Sequence, residues 1–362
     1  MGDRGRAPVS GVLVSICVPT YNRADYLVES LATITAQTYA PLEILIADNA
    51  STDATESICR ALAARDPRVR YVRHPRNIGL YENHNFCIEE SRGDYLCFFH
   101  DDDRYAPDVV AENVAVLDAH PSVGIVCSDW DLMDETGQRF GGRRFAVSPV
   151  TRGLDYVERT IASGRSSICC PGTLIRRAAL GKVRFPESVP IGFGDFLVWF
   201  EVAERADVGH VRRTLWSYRQ HARSLSRRPL HAMASDYLEN LETYFAGHLA
   251  RWPAHADRVA RWRRLARRYA FWTLIYELCL HARRERGGPP RSRVRSIFEL
   301  ADFALSPDDV ARVRATLHRL RRGSMQRVVL FLVESLVDTG LTAPLAWATR
   351  HTERFRARLV AP

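Results

Sequence analysis

Four apolar runs of strand length, at residues 12–18, 42–47, 69–73 and 95–99, each lead through a turn into a helical pattern. The helices expected between them are 25–37, 54–65, 81–91 and 107–119, the first with Leu27, Leu31 and Ile34 at helical spacing. A β-α unit repeated four times restricts the chain to a doubly wound α/β fold, because parallel strands need crossover helices. Continuous apolar runs, instead of alternating ones, mark strands buried on both faces. In such sheets ligands bind outside the carboxyl ends of the strands.

The fourth run is the most informative. Tyr95 to Phe99 is followed by His100 and then by three consecutive carboxylates, Asp101, Asp102 and Asp103. Pro107 suits the first turn of the next helix. Three adjacent acids at a strand end repel one another, and a hard divalent cation relieves that conflict. A solvated acidic turn is the bland alternative. Two further turns belong on the same edge: residues 19–23 (Pro19, Thr20, Tyr21, Asn22, Arg23) and residues 48–53 beginning at Asp48. Ser51 or Asp53 is placed to cap the helix that follows.

Later segments are less regular. Residues 123–128 read as a strand, 134–145 as a hairpin or loop, and 208–211 with 215–218 as two short strands. Asp195 precedes an expected helix at 196–205, and Gly192 and Gly194 beside Phe193 suggest close approach of backbone to a ligand. From about residue 231 onward strand signals vanish and helical periodicity takes over. Two regions follow: 1–230 as the α/β unit and 231–362 as a helical, Arg-rich region. The latter carries 23 Arg against 13 acids, more than the whole chain's +9.

Composition excludes several classes. With 46% hydrophobic and 26% charged residues the chain reads as soluble and globular. It has no run of 18 charge-free apolar residues, and residues 1–10 lack a signal-peptide pattern. Eight Cys show no zinc-site spacing, so buried reduced thiols in a cytoplasmic protein are expected.

Taken in order, the segments 14–23, 46–53, 93–103 with Pro107, Gly194-Asp195 and Tyr218-Arg219-Gln220-His221 resemble a family 2 glycosyltransferase of the GT-A fold. The resemblance covers residues 12–225 or so. It implies an inverting transfer from a nucleotide-activated sugar, most often a UDP-sugar, with Mg²⁺ or Mn²⁺. The fold it implies is a Rossmann-like, parallel or mixed sheet flanked by helices.

Carried over by position, Asp48 matches the acid that contacts the nucleobase, and Asp101-Asp102 the DXD region. Asp102 is the expected metal ligand and His221 an approaching second one. Asp195 matches the catalytic base. The nucleotide-sugar pocket is expected to take Pro19, Thr20, Tyr21, Asn22, Arg23, Asp48, Asn77, Asn85, Asp101 and Asp102. His100 departs from the pattern, standing where many members have the first Asp. The expected acceptor is a hydroxyl of a glycan or lipid-linked molecule, without nucleic acid. Rival readings are a sugar-phosphate nucleotidyltransferase, which should show a Gly-rich basic loop after the first strand, and a non-catalytic nucleotide-sugar-binding protein.

The stretch 328–347 is apolar, with Glu334 and Asp338 on one helix face and Arg on both sides. A helical cap on the transferase domain is one reading. A peripheral contact with the inner membrane face is the other.

Overall fold

A computed structural model describes residues 11–187, 194–224, 230–266 and 269. Contacts divide the chain into two units, 1–229 with 236–263, and 230–235 with 264–362. The first unit holds the sheet. The stretch 328–347, and with it the choice between a helical cap and a membrane contact, lies outside the described residues. No described helix is long and apolar enough to cross a membrane.

The chain begins β1 (Val14–Thr20), α1 (Ala24–Thr35), β2 (Leu42–Asp48), α2 (Thr55–Ala63), β3 (Val69–Arg73), α3 (Leu80–Glu90) and β4 (Tyr95–Phe98). Then come β5 (Arg104–Tyr105), α4 (Val109–Ala119), β6 (Val123–Met133), β7 (Arg139–Arg143), β8 (Val150–Thr151) and α5 (Gly153–Ser163). β9 (Leu174–Arg176), α6 (Arg177–Leu180), α7 (Gly194–Ala203), β10 (Asp207–Arg219) and α8 (Leu230–Arg251) complete the series. The sheet order is β3-β2-β1-β4-β9-β6-β10-β5, with β7 on β6 and β8 on β10.

The first four strands pair in parallel as the alternation requires. Leu27, Leu31 and Ile34 of α1 are buried against Val14, Ile16 and Ile44 of the sheet. Each such side chain contributes about 1.5–3 kcal/mol by leaving water.

The sheet as a whole is mixed. β9, which follows α5 and the turn at Pro171-Gly172-Thr173, enters between β4 and β6 antiparallel to both. Three local expectations are corrected. The first strand does not break at Pro19 but runs to Thr20. The Cys17 carbonyl faces β4 and the Thr20 carbonyl faces β2. By alternation Pro19 faces the β4 side, where pairing has ended at Cys17, so its missing N–H costs no ladder bond. An unexpected two-residue strand, β5, precedes α4, which starts at Val109 and not at Pro107. The two short strands expected at 208–218 are one strand with register shifts near Val211 and Thr214. Gly194 is closely packed on a side chain: an added Cβ would lie 2.5 Å from the Tyr81 ring, while Gly192 and Phe193 lie outside the described residues.

Candidate active site

Parallel pairing brings the carboxyl ends of β1, β2 and β4 to one edge. The β1 and β2 loops latch onto each other there. The Asn22 amide donates to Ser51 Oγ (3.0 Å), the Thr52 amide to Asn22 Oδ1 (2.8 Å) and the Ala24 amide to Asp53 Oδ2 (3.0 Å). Ser51 therefore serves the neighbouring loop, while Asp53 Oδ1 accepts from Thr55 N–H at the start of α2. Asn22 and Ala50 both have positive φ, 53° and 64°. Left-handed backbone is strained for alanine, and the surrounding bonds hold it there.

Asp48 is fully enclosed. Its Oδ1 accepts from the Ser51 amide (2.8 Å) and its Oδ2 from the Tyr71 hydroxyl (2.6 Å), with Arg73 Nε at 3.9 Å. Asn77 accepts from Asn49 Nδ2 at 2.9 Å and so braces the β2 loop. Asn85 lies apart, with both ends of its amide bonded to the backbone of Phe185 (2.8 and 2.9 Å).

The acid turn follows β4. The His100 amide donates to the Tyr105 hydroxyl (2.6 Å), Ser30 Oγ donates to the His100 carbonyl (2.8 Å), and Phe99 stacks on Tyr105. Arg23 Nε stands 3.6 Å from Asp101 and 3.5 Å from Asp102. His221 Nε2 is 3.0 Å from Asp102 Oδ2, and its Nδ1 accepts from the Arg223 amide at 3.1 Å. Since Nδ1 accepts, the proton sits on Nε2 and points at Asp102.

Burial and the charge of Asp102 push the Asp101 carboxyl up to about 7 and that of Asp103 well above the usual range. Asp102 is the exception. Burial raises it, but the His221 hydrogen bond, His100 and Arg23 together hold it below the usual value. Of three adjacent acids, the middle one is thus kept as the carboxylate.

His100, Asp102 and Asp103 bring one ligand atom each within 4.8 Å of one another. Asp103 Oδ1 accepts from the Arg219 amide (2.8 Å), while Oδ2 is buried with no hydrogen-bond partner. An orphaned buried carboxylate oxygen beside a second carboxylate and an imidazole fits a hard divalent cation.

Asp195 begins α7, half-buried, and burial pushes its carboxyl up to about 6. The Tyr81 hydroxyl accepts from the Gly194 amide (3.0 Å) and fixes this helix start. Desolvation, and after it the charges of Asp195 and Asp103, push the thiols of the half-buried Cys169 and the buried Cys170 up. The Cys169–Cys170 segment is therefore within electrostatic reach of both carboxylates.

One group of residues escaped the sequence reading. Arg219, 2% exposed, donates its amide to Asp103 and Nε to the Asp102 carbonyl (2.7 Å). Its guanidinium pairs with Glu29 (2.6 Å) and lies over the Tyr26 ring. Tyr26 in turn stacks on His221. The signal available was the position of Tyr26 and Glu29 on α1, three residues apart and so on one face.

Comparison with known proteins agrees with this geometry. Residues 15–184 match the family model "Glycosyl transferase family 2". The chain, whose α/β unit is a GT-A fold, is similar over those residues to glycosyltransferase family 2. It is 30% identical over 171 residues to "Putative glycosyltransferase EpsE" of Bacillus subtilis, covering 47% of this chain and 58% of EpsE. The chain thus spans less than two thirds of the length of such curated relatives. Among solved structures, S. aureus TarS 1-349 in complex with UDP-GlcNAc aligns with TM-score 0.60 at 16% identity, over 90% of this chain and 92% of TarS 1-349. The mannosyltransferase PcManGT from Pyrobaculum calidifontis, in complex with GDP-Man and Mn²⁺, aligns with TM-score 0.51 at 20% identity, over 91% and 86%.

Proposed function

We propose that the chain transfers a sugar from a nucleoside-diphosphate donor to an acceptor hydroxyl with inversion at the anomeric carbon. The observation that carries this reading is the acid turn at the end of β4, where Arg23 and His221 meet Asp101 and Asp102 and the buried Asp103 Oδ2 is left without a hydrogen-bond partner.

In this reading the β1 and β2 loops, with Asp48, receive the nucleoside. Arg23, Asp101 and Asp102 face the diphosphate. Asp102, with Asp103 and His100, would hold Mg²⁺ or Mn²⁺, while His221 approaches it and orients Asp102. When bound, that ion supplies positive charge to the departing diphosphate. Asp195 accepts the acceptor's hydroxyl proton as its oxygen bonds to the anomeric carbon. The bond from that carbon to the diphosphate oxygen breaks at the same time, and its electron pair leaves with the nucleoside diphosphate. A carboxyl raised to about 6 is a stronger base than an ordinary carboxylate, yet is ionised at neutral pH.

The proposed donor is a UDP-sugar. The neighbouring folds carry UDP-GlcNAc in one case and GDP-Man in the other, so both bases enter the test. The proposed acceptor is a hydroxyl of a polysaccharide, envelope or glycoconjugate precursor at the cytoplasmic side of a membrane. Retention of an ionised Asp102 together with a raised Asp195 favours turnover over mere binding.

The test is a thermal-shift screen of UDP- and GDP-sugars against the full chain, with and without Mn²⁺, repeated on Asp102→Asn. Stabilisation that needs Mn²⁺ and vanishes in the variant supports the reading. Equal stabilisation of both proteins, or none by any nucleotide sugar, overturns it.

A further inference from the structure

A second group of ligand atoms adjoins the acid turn. His84, His100 and Cys170 each offer one atom, all within 4.8 Å of one another. They come from α3, the end of β4 and the segment before β9, so their 16- and 70-residue separations gave no motif to read. Their placement is built into the fold. Cys170 precedes Pro171, which bridges to Phe98, and the Gly172 amide donates to the Phe98 carbonyl at 3.1 Å. His84 packs its ring between Phe98 and Phe185, each about 5 Å away.

The tautomer of His84 is set by its surroundings. Its Nδ1 lies 2.8 Å from the Leu80 carbonyl, which can only accept. The proton is therefore on Nδ1, and Nε2 carries a free lone pair with no hydrogen-bond partner among the described residues. A carbonyl behind the far nitrogen is the usual support of a metal-binding imidazole. A core histidine kept only for packing would have no need of a second imidazole and a thiol converging beside it.

We infer that His84, His100 and Cys170 form a binding site for a borderline or soft divalent ion such as Zn²⁺, distinct in its donors from the oxygen-rich acid turn. Two nitrogens and one sulfur are a zinc donor set, whereas Mg²⁺ takes oxygen. Ligands on a tetrahedral zinc stand about 3.5 Å apart, given arms of about 2.0–2.3 Å. Side-chain shifts of about 1 Å bring the three atoms to that spacing. On binding, the sulfur–metal bond forms as the sulfur–hydrogen bond breaks, and one proton goes to solvent. A solvent molecule completes the fourth position.

His100 belongs to this group and to the one with Asp102 and Asp103. One imidazole cannot serve both with the same nitrogen. An ion in the nitrogen–sulfur site therefore shares the acid turn's imidazole through its second nitrogen or displaces it from the turn.

Co²⁺ is the probe, because a thiolate ligand gives it a charge-transfer absorption that nitrogen and oxygen ligands do not. Full-length protein in excess Mg²⁺ is titrated with CoCl₂. The expected result is one equivalent bound with the thiolate band. That band is lost in Cys170→Ser and kept in Cys169→Ser, and the dissociation constant rises at least tenfold in His84→Gln. Circular dichroism melting of each variant shows that it is folded. If Cys170→Ser does not fold, the weakened binding of His84→Gln decides. Absence of the thiolate band, its persistence in folded Cys170→Ser, or unchanged affinity in His84→Gln overturns the inference. The readout is independent of sugar transfer, so it fails separately from the proposed activity.

Discussion

His221 donates to Asp102 across 119 positions of sequence, Nε2 to Oδ2 at 3.0 Å, with its other nitrogen fixed by the Arg223 amide. In this arrangement the imidazole orients the carboxylate instead of competing with it for a cation.

His221→Ala is therefore expected to raise the Mn²⁺ concentration needed for half-maximal activity about 10- to 100-fold, the usual loss when the group behind a metal ligand is removed. His221→Gln, which keeps a donor, should recover part of it. Metal-titrated kinetics give the answer. An unchanged Mn²⁺ requirement in His221→Ala would separate the two residues functionally.

The turnover number should depend on pH through Asp195. Its carboxyl is raised to about 6, so below that pH it is increasingly protonated and cannot accept the hydroxyl proton. Turnover is expected to fall about tenfold per unit below pH 6 and to be flat above it. Asp195→Asn should lose about 10²- to 10⁴-fold of turnover and with it this acid limb, while donor binding stays. A similar loss of donor affinity would make Asp195 a structural residue.

Asp48→Ala leaves the Ser51 amide and the Tyr71 hydroxyl without their acceptor. Each unsatisfied buried donor costs about 1–3 kcal/mol, so a lower melting temperature is expected along with a raised donor KM. Tyr71→Phe removes one bond and keeps the carboxylate. If Asp48 contacts the base, Tyr71→Phe should disturb the donor KM far less than Asp48→Ala does. Parallel melting and KM measurements on both variants test this.

Glu204, just past the end of α7, is enclosed by His248 (2.7 Å) and Arg251 (2.8 Å) of α8 and by Trp252 Nε1 (3.1 Å) just after it. Burial raises its carboxyl, but the His248 and Arg251 hydrogen bonds outweigh this and hold it at about 2. A depressed carboxylate stabilises the fold above its ordinary 4.5 and ceases to do so as pH falls towards 2. Glu204→Gln should lower stability by about 3 kcal/mol at neutral pH and flatten the acid limb between about pH 4.5 and 2. Denaturant melts across that range measure both. A variant as stable as the parent at pH 7 would count against the cluster.

The order of the first four strands and the position of the acid turn were legible because apolar runs and helical spacing are local. Asp101, Asp102, Arg23 and His221 do meet, as the ordered motifs implied. What stayed hidden was non-local. β5 is two residues long and exists because β10 lies beside it. The role of Arg219 depends on Glu29 and Tyr26, nearly two hundred positions earlier. The convergence of His84, His100 and Cys170 depends on an antiparallel strand, β9, that no alternation announces.

The acid turn also has a fixed span. It leaves the sheet at Phe98 on β4 and rejoins it at Arg104 on β5, four places further along the strand order. Four strand spacings on a flat sheet come to about 19 Å, and six residue steps reach about 21 Å when fully drawn out. A segment that also turns on itself has no length to spare over that distance, and β10, the strand that β5 joins, shifts register near Val211 and Thr214. Chain length here is thus a matter of gauge: a residue lost would uncouple β5, and a residue gained would slacken the acids. The turn before β7 is held to the same gauge, since the Gly137 carbonyl accepts from Arg104 (3.0 Å) and the Glu135 carbonyl from Arg219 (3.1 Å), whose Nε holds the Asp102 carbonyl; a change of length there would reach Asp102.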